Sequence, residues 1–221
     1  MSQKPNAFSL IELLVVIGTL ALLTSILVPS LSAAMERAKV VRVHADLYGI
    51  STALIAYGLA HNGCHPPVRT SCNEDMRGHE YQLPVELSQE GYLPKGPDLN
   101  RMVGIEDVFN PDHTYKYNAP GDLVNNNTLI RNGNYVWIPD SFPGREDSAG
   151  DLWTTDDGKL YNKREKSPLA WVLWSTGPKP ESEKTQSPRA PVSKLTWYYQ
   201  TGDSGVICRI LTSNEQIITS P

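Results

Sequence analysis

The chain has 221 residues, with 20 Lys and Arg against 24 Asp and Glu, and a formal net charge of −4. This length suits one domain with an appendage. The mild negative charge, without a basic patch that interleaves with aromatic residues, argues against nucleic acid as a partner. The 3 cysteines are too few for a disulfide framework.

A long apolar stretch begins near the N-terminus. Between Phe8 and Ala34 the only ionisable side chain is Glu12. The stretch can cross a bilayer, which takes roughly 20 apolar residues at about 1.5 Å each. A carboxylate inside hydrocarbon is costly and requires a partner. The polar leader with Lys4 also fits a secretory signal peptide cleaved near Ser30–Ala34, but a helical pattern continues directly after that point.

The segment Ala7-Phe-Ser-Leu-Ile-Glu-Leu-Leu-Val-Val-Ile17 resembles the cleavage and methylation motif of type IV prepilins. The resemblance implies cleavage between Ala7 and Phe8 by a prepilin peptidase, followed by N-methylation of the new Phe8 amine. Glu12 would then be the fifth residue of the mature chain. In this family the helix can bend or unwind on assembly, which here points to Gly18 and Pro29.

The apolar stretch continues into an amphipathic one, so residues 8–62 predict one long helix in two halves. The first half is apolar on all sides, as a membrane span is. In the second half, apolar residues recur at alternating four- and three-residue steps and so share one face. Asn62-Gly63 is expected to end the helix, because Gly tolerates a left-handed backbone. The predicted apolar stripe consists of Val43, Leu47, Ile50, Leu54 and Tyr57.

These patterns and the resemblance together predict an α+β, pilin-like fold, in which the long helix packs on a small antiparallel β-sheet head. The expected divisions are a leader over residues 1–7, a transmembrane half over 8–35, an amphipathic half over 36–63 and a loop-rich β head over 64–221.

Several segments of the head predict secondary structure. A short helix and turn are expected between Gln82 and Pro94. Strands are expected at residues 112–117, 134–138 and 170–175. A closing hairpin is expected to pair residues 197–199 with 206–210 around a Gly-containing turn. The stretch 178–193, rich in Pro, Ser, Lys and Glu, predicts a flexible loop.

Cysteine and histidine residues cluster after the helix. Metal ligation is one interpretation of Cys64, His65, Cys72 and His79. However, their spacing differs from that of paired Cys-x-x-Cys zinc sites. A disulfide between Cys64 and Cys72 is another interpretation, in an oxidising compartment. The preferred interpretation is unrelated surface residues with a free thiol.

The stretch between Pro139 and Gly158 is strongly acidic. Calcium is one interpretation, with Asp151, Asp156 and Asp157 as candidate ligands, because Ca²⁺ takes several hard oxygen ligands from such loops. We prefer a solvated acidic loop, since no EF-hand spacing is present. The end of the strand predicted at 170–175 resembles the Ser-x-Gly strand end of the family's major pseudopilins. In those relatives, Asp residues that bind calcium follow the strand. Here Gly177-Pro-Lys-Pro180 occupies that place without an Asp.

The function expected from the sequence is structural. No nucleophile elbow, phosphate-binding loop or His-Glu-x-x-His motif occurs, so no enzymatic activity is predicted. The segment Asp46–Tyr57, followed by Asn62-Gly63 and Pro66-Pro67, resembles the major pseudopilins of type II secretion. The resemblance implies a fibre subunit in which Glu12 pairs with the Phe8 amine of a neighbouring subunit.

The same resemblance implies the location and the partners. The subunit would cross a bacterial inner membrane once, with its leader cytoplasmic and its head periplasmic, and the fibre would lie in the periplasm or at the cell surface. The partners would be copies of itself, other pseudopilins, the prepilin peptidase, the inner-membrane assembly platform and membrane lipid. A secretion pseudopilus and a true pilus both fit. The alternative is a membrane-anchored or exported binding protein whose head recognises a substrate or surface.

Overall fold

The computed structural model of the chain describes residues 9–70, 80–97, 101–144, 154–155 and 157–221. It is an α+β structure with a long N-terminal helix and small, mainly antiparallel sheets, which confirms this much of the predicted fold. Two compact units can be distinguished, one that ends at Ala38 and one that comprises Lys39–Pro221.

The described chain contains three α-helices and ten strands. The helices are α1 (Leu10–Ala60), α2 (Val85–Gln89) and α3 (Glu183–Gln186). Single 3₁₀ turns occur at Arg164–Lys166 and Lys194–Thr196. The strands are β1 (Val68–Arg69), β2 (Lys116–Asn118), β3 (Gly121–Asn125), β4 (Thr128–Asn134), β5 (Val136–Pro139), β6 (Thr154–Thr155), β7 (Gly158–Tyr161), β8 (Leu169–Ser175), β9 (Ile207–Thr212) and β10 (Ile217–Thr219).

The long helix ends as the sequence predicts. Asn62 and Gly63 both adopt a left-handed backbone, with φ of 54° and 79°. The amide of Gly63 donates a hydrogen bond to the carbonyl of Gly58 at 2.7 Å. This bond closes a Schellman-type end, in which the second residue after the cap satisfies a carbonyl of the last turn.

The strands form three small sheets. The largest has the order β10-β9-β8-β2, with every neighbouring pair antiparallel. The second is β5-β7-β6, also antiparallel. In the third, β1-β3-β4, the β1–β3 pair is parallel, so the head is not purely antiparallel.

The core lies on both faces of the largest sheet. On one face Trp171 and Leu173 of β8 pack in a cluster with the predicted stripe of α1, whose five members are all buried. On the other face Val172 and Trp174 pack in a second cluster with residues of β5 and β9. Because both faces of β8 are buried, this strand is apolar throughout instead of alternating.

Several predicted elements of the head differ from the structure. The predicted closing hairpin is wrong: Trp197 makes an isolated parallel bridge with Val206, and β9 instead forms its hairpin with β10. The predicted loop over 178–193 contains α3, which is capped by the Ser182 side chain. The β3–β4 hairpin is absent from the prediction, and its turn is formed by Asn126 and Asn127 with φ of 47° and 58°.

Candidate membrane and assembly segment

The first half of α1 carries an apolar surface that is exposed all around the helix. From Leu10 to Met35 every large apolar side chain is at least 47% exposed. In the described chain this helix is long and apolar enough to cross a membrane. Length and composition carry that conclusion, and a signal sequence near an N-terminus has the same two properties.

Three hydroxyl side chains in this half of the helix bond to the helix backbone. The hydroxyl of Thr19 donates to the carbonyl of Val16 at 2.9 Å, and that of Ser25 donates to Leu22 at 2.7 Å. Thr24 donates to Leu20 at 2.9 Å. Such back-bonding satisfies hydroxyl groups where no water is present. These side chains are therefore compatible with a lipid environment.

Glu12 lies in the first turn of α1, where it caps the helix. Its Oε2 accepts a hydrogen bond from the backbone amide of Ser9 at 2.9 Å, and the Ser9 carbonyl accepts the helical bond from Leu13 at 3.2 Å. This is one half of a capping box, with the acid at the third helical position. The position also favours a negative charge, because unpaired amides give the helix start a partial positive charge.

The predicted processing residues Ala7 and Phe8 lie outside the described residues, so the pairing of Glu12 with a Phe8 amine stays a prediction. At the other predicted positions, α1 continues through both Gly18 and Pro29. A Cβ added at Gly18 would meet no atom within 4 Å. Bending or unwinding during assembly likewise stays a prediction.

The described chain does not bring the predicted metal ligands together. Within the described residues, no group of three or more His, Cys, Asp or Glu side chains could hold a metal ion. Asp157 forms an ion pair with Arg189 at 2.9 Å, and the other calcium candidates, Asp151 and Asp156, lie outside the described residues. Cys64 is exposed, whereas its predicted disulfide partner Cys72 and the candidate ligand His79 also lie outside them.

The histidines near the end of α1 make structural contacts. The ring of His61 stacks on Tyr57 with centroids 3.9 Å apart, and its Nε2 lies 3.3 Å from Oε1 of Glu90. His65 is partly buried, and Arg164 donates to its carbonyl at 2.7 Å. Burial of the ring is the main cause that lowers the pKa of His65 to about 4, and the positive charge of the nearby Arg164 guanidinium is the second cause.

Polar contacts that the sequence did not reveal hold the second half of α1 on the head. The Tyr115 hydroxyl donates to Oδ2 of Asp46 at 2.8 Å, and Arg42 lies 3.6 Å from the same oxygen. The Lys39 ammonium lies 5.7 Å above the ring of Phe109. Burial is the main cause that raises the pKa of the Tyr115 hydroxyl, and the hydrogen bond to Asp46 is the second cause. Tyr115 therefore keeps its proton and remains a donor.

A second missed residue, Asp107, connects two loops inside the head. Its Oδ1 accepts from the amide of Phe109 at 3.0 Å and from the hydroxyl of Ser175 at 2.7 Å, while Oδ2 accepts from the amide of Thr176 at 3.1 Å. Burial raises the pKa of this carboxyl, and the three donors oppose that effect. An isolated Asp in a loop gave no signal of this role, because its partners are remote in sequence.

No protein-family model, no curated protein and no solved structure matches this chain. The functional argument therefore rests on the sequence motif and on the exposed apolar helix.

Proposed function

We propose that this chain is a pilin-like structural subunit that assembles from a bacterial inner membrane into a helical fibre, with a type II secretion pseudopilus as the favoured machine. A prepilin peptidase would cleave between Ala7 and Phe8, and the new amine would be methylated. The head would be periplasmic, and the partners would be further copies of the chain, other pseudopilins and the assembly platform.

The observation that supports the proposal is the first half of α1. Its apolar side chains are exposed all around the helix, and its one carboxylate lies at the first turn. A plain anchor requires the apolar surface and would use the carboxylate only as the helix cap described above. A subunit that leaves lipid and packs with other helices uses both, because the charge selects one axial position along an otherwise featureless apolar surface.

The energies are compatible with this role. A carboxylate at the centre of a span costs about 2.5–3.5 kcal/mol on insertion scales, which is an upper limit for Glu12 in the first turn of α1. A neighbouring amine at ~4 Å offers about 4 kcal/mol of attraction at an effective dielectric constant of 20, before the desolvation of both charges is subtracted. Pairing would therefore offset the insertion cost of the carboxylate, while the helix packing would supply the remaining stability.

Mass spectrometry of the mature protein, expressed together with a prepilin peptidase and its methylase activity, tests the processing. The expected N-terminus is N-methylated Phe8. A mature N-terminus immediately after Ala34 would show an ordinary signal peptide and a released head, and would contradict the proposal.

Substitution of Glu12 tests the assembly role. Glu12→Gln keeps an oxygen that can accept the Ser9 amide bond, so it removes the charge without removing the helix cap. We expect fibres to be lost while membrane insertion persists. Glu36→Gln, at the next acid along α1, is the matched control and should assemble normally. Equal fibre yield from Glu12→Gln and wild type would disprove the register role.

A further inference from the structure

The second half of α1 presents a second apolar stripe, on the side away from the head. Two residues correspond to about 200° around an α-helix, so Val41 lies almost opposite the buried Val43. The large side chains of this outer stripe are between 37% and 81% exposed. Alternating steps of four and three residues place six exposed positions on it, namely Val41, Ala45, Tyr48, Thr52, Ile55 and Leu59.

The outer stripe carries no charged side chain, whereas the water-facing side of an amphipathic helix is normally charged or polar. The hydroxyl of Thr52 donates to the carbonyl of Tyr48 at 3.0 Å, so the helix itself satisfies this group. The guanidinium of Arg209 lies 5.1 Å from the centroid of the Tyr48 ring. Arg42, beside the stripe, lies 3.6 Å from Asp46. Exposed apolar surface of this kind marks a site of association.

The spacing of the outer stripe is that of a coiled coil. Its alternating steps of three and four residues continue towards the N-terminus as far as Leu10, and every position of the repeat is apolar or Thr. A repeat of 3.5 residues is shorter than the 3.6 residues of one helical turn, so two helices that pack along it wind around each other in a left-handed sense. The pattern therefore indicates a second helix as the partner.

Lipid can cover only part of this repeat. From Leu10 to Leu59 the helix is about 75 Å long, whereas the core of a bilayer is about 30 Å thick and takes about 20 residues. The residues of the outer stripe also belong to the same compact unit as the head. The partner is therefore a helix that continues from lipid into water. Among the helices of the described chain, α1 alone has that length.

We propose that the outer stripe binds the outer stripe of a second copy of this chain, in a parallel, left-handed coiled-coil pair. Copies that insert in the same orientation present their stripes side by side. A contact face about 75 Å long and about 10 Å wide covers roughly 750 Å² of each helix and about 1,500 Å² in total. Specific interfaces bury about 1,200–2,000 Å². The pair requires neither cleavage before Phe8 nor a fibre.

Sedimentation equilibrium of the full chain in density-matched detergent micelles tests the pair. We expect the mass of two chains of 24.5 kDa each. The double variant Val41→Glu/Thr52→Glu brings like charges together across the contact and should weaken association by about tenfold or more. Both positions are exposed, so the variant should keep the near-UV circular dichroism of the folded head.

The matched control is Thr128→Glu/Leu129→Glu. It replaces one Thr and one apolar residue by the same charges, at exposed positions of β4. This control should associate like the wild type. A wild-type chain that sediments as a single copy would overturn the proposal, and so would equal association of the Val41→Glu/Thr52→Glu variant and the wild type.

Oxidative cross-linking with copper phenanthroline tests the geometry of the pair independently. The background carries Cys64→Ser and Cys72→Ser, and the remaining Cys208 is buried. Thr52→Cys should form a covalent dimer, because core positions of a parallel coiled coil face each other. Thr128→Cys should stay monomeric. No linkage at Thr52→Cys, or equal linkage at both positions, would contradict the proposal. None of these outcomes bears on N-terminal processing.

Discussion

At the residue scale, the buried Asp107 and the partly buried His65 are two ionisable groups whose pKa values the fold shifts. Asp107 joins the loop before β2 to the end of β8 through two hydrogen bonds, from Ser175 and Thr176, and a third bond, from the Phe109 amide, lies within the loop. His65 lies where the chain leaves α1 and is held close to Gly58, since a Cβ added there would lie 3.3 Å from its ring. Burial favours the neutral form of both groups, because it raises the pKa of the Asp107 carboxyl and lowers the pKa of the His65 ring.

Asp107→Asn should destabilise the head by about 1–3 kcal/mol. The amide group of Asn cannot accept at both positions, so one buried donor is left without a partner. Urea unfolding of the full chain in detergent measures the change. Asp112→Asn, at an exposed loop position with a left-handed backbone that Asn tolerates, is the control and should be neutral. A stability equal to wild type for Asp107→Asn would show that these bonds contribute nothing.

The stability of the head should fall in weak acid because of His65. The pKa of His65 is about 4 in the fold against an ordinary value of 6.5, so the fold prefers the neutral ring. The stability that comes from this preference for the neutral His65 ring is fully present above pH 6.5. It is lost as the pH falls from 6.5 through 4. Its full size is up to about 3 kcal/mol, at about 1.4 kcal/mol per unit of pKa.

Urea midpoints between pH 7 and pH 4 test this dependence. His65→Gln should flatten the slope, whereas His113→Gln, in the loop before β2, should leave it unchanged. An unchanged slope in His65→Gln would assign the acid sensitivity to other groups.

At the scale of elements, the second half of α1 shows how far the sequence could predict the structure. The spacing of Val43, Leu47, Ile50, Leu54 and Tyr57 predicted the buried face, and all five are buried. Periodicity works here because one helix face contacts one core. The Asn-Gly helix end and the strand β8 were likewise predictable, since each depends on local preferences or on a continuous apolar run.

The parts that the sequence did not predict depend on distant partners. Trp197 looked like a strand residue because it is large and aromatic, but its indole bonds to Pro191 and its backbone only bridges Val206. A cavity in the head is lined by side chains of β5 and by others some sixty residues later, which no local pattern reveals. The same holds for the contact between Asp46 and Tyr115, 69 residues apart.

Two leucines of α1, one buried and one exposed, test the packing of this element. Leu47 is 1% exposed and Leu59 is 81% exposed. Leu47→Ala should destabilise the head by about 2–4 kcal/mol, because it removes buried methyl groups and leaves a cavity. Leu59→Ala should cost less than about 0.5 kcal/mol. Equal losses in denaturant unfolding would mean that α1 does not pack on the head by the face described.

At the scale of the whole molecule, the chain combines a segment suited to lipid with a head suited to water. Many apolar side chains of the head lie in two buried clusters, whereas every large apolar side chain from Leu10 to Met35 is exposed. Exposed apolar surface of this extent is unstable in water and indicates a membrane or other helices as its surroundings.

Leu20→Glu should therefore impair membrane insertion. A carboxylate near the centre of the span costs about 2.5–3.5 kcal/mol on insertion scales. Alkaline carbonate extraction of membranes, followed by immunoblotting, measures the inserted fraction, which should fall severalfold. Leu59→Glu, at an exposed site in the second half of α1, should remain in the membrane fraction. Full retention of Leu20→Glu would show that this segment does not span the bilayer.

The position of β8 between β2 and β9 sets an order of events during biosynthesis. The largest sheet cannot close until β9 has left the ribosome, and β9 ends at Thr212. At about 5–20 residues per second, the apolar segment that ends near Met35 emerges roughly 10–35 s earlier. The nascent chain would thus be captured by lipid while the head is still an open polypeptide. A periplasmic head would then have to cross the bilayer before it folds.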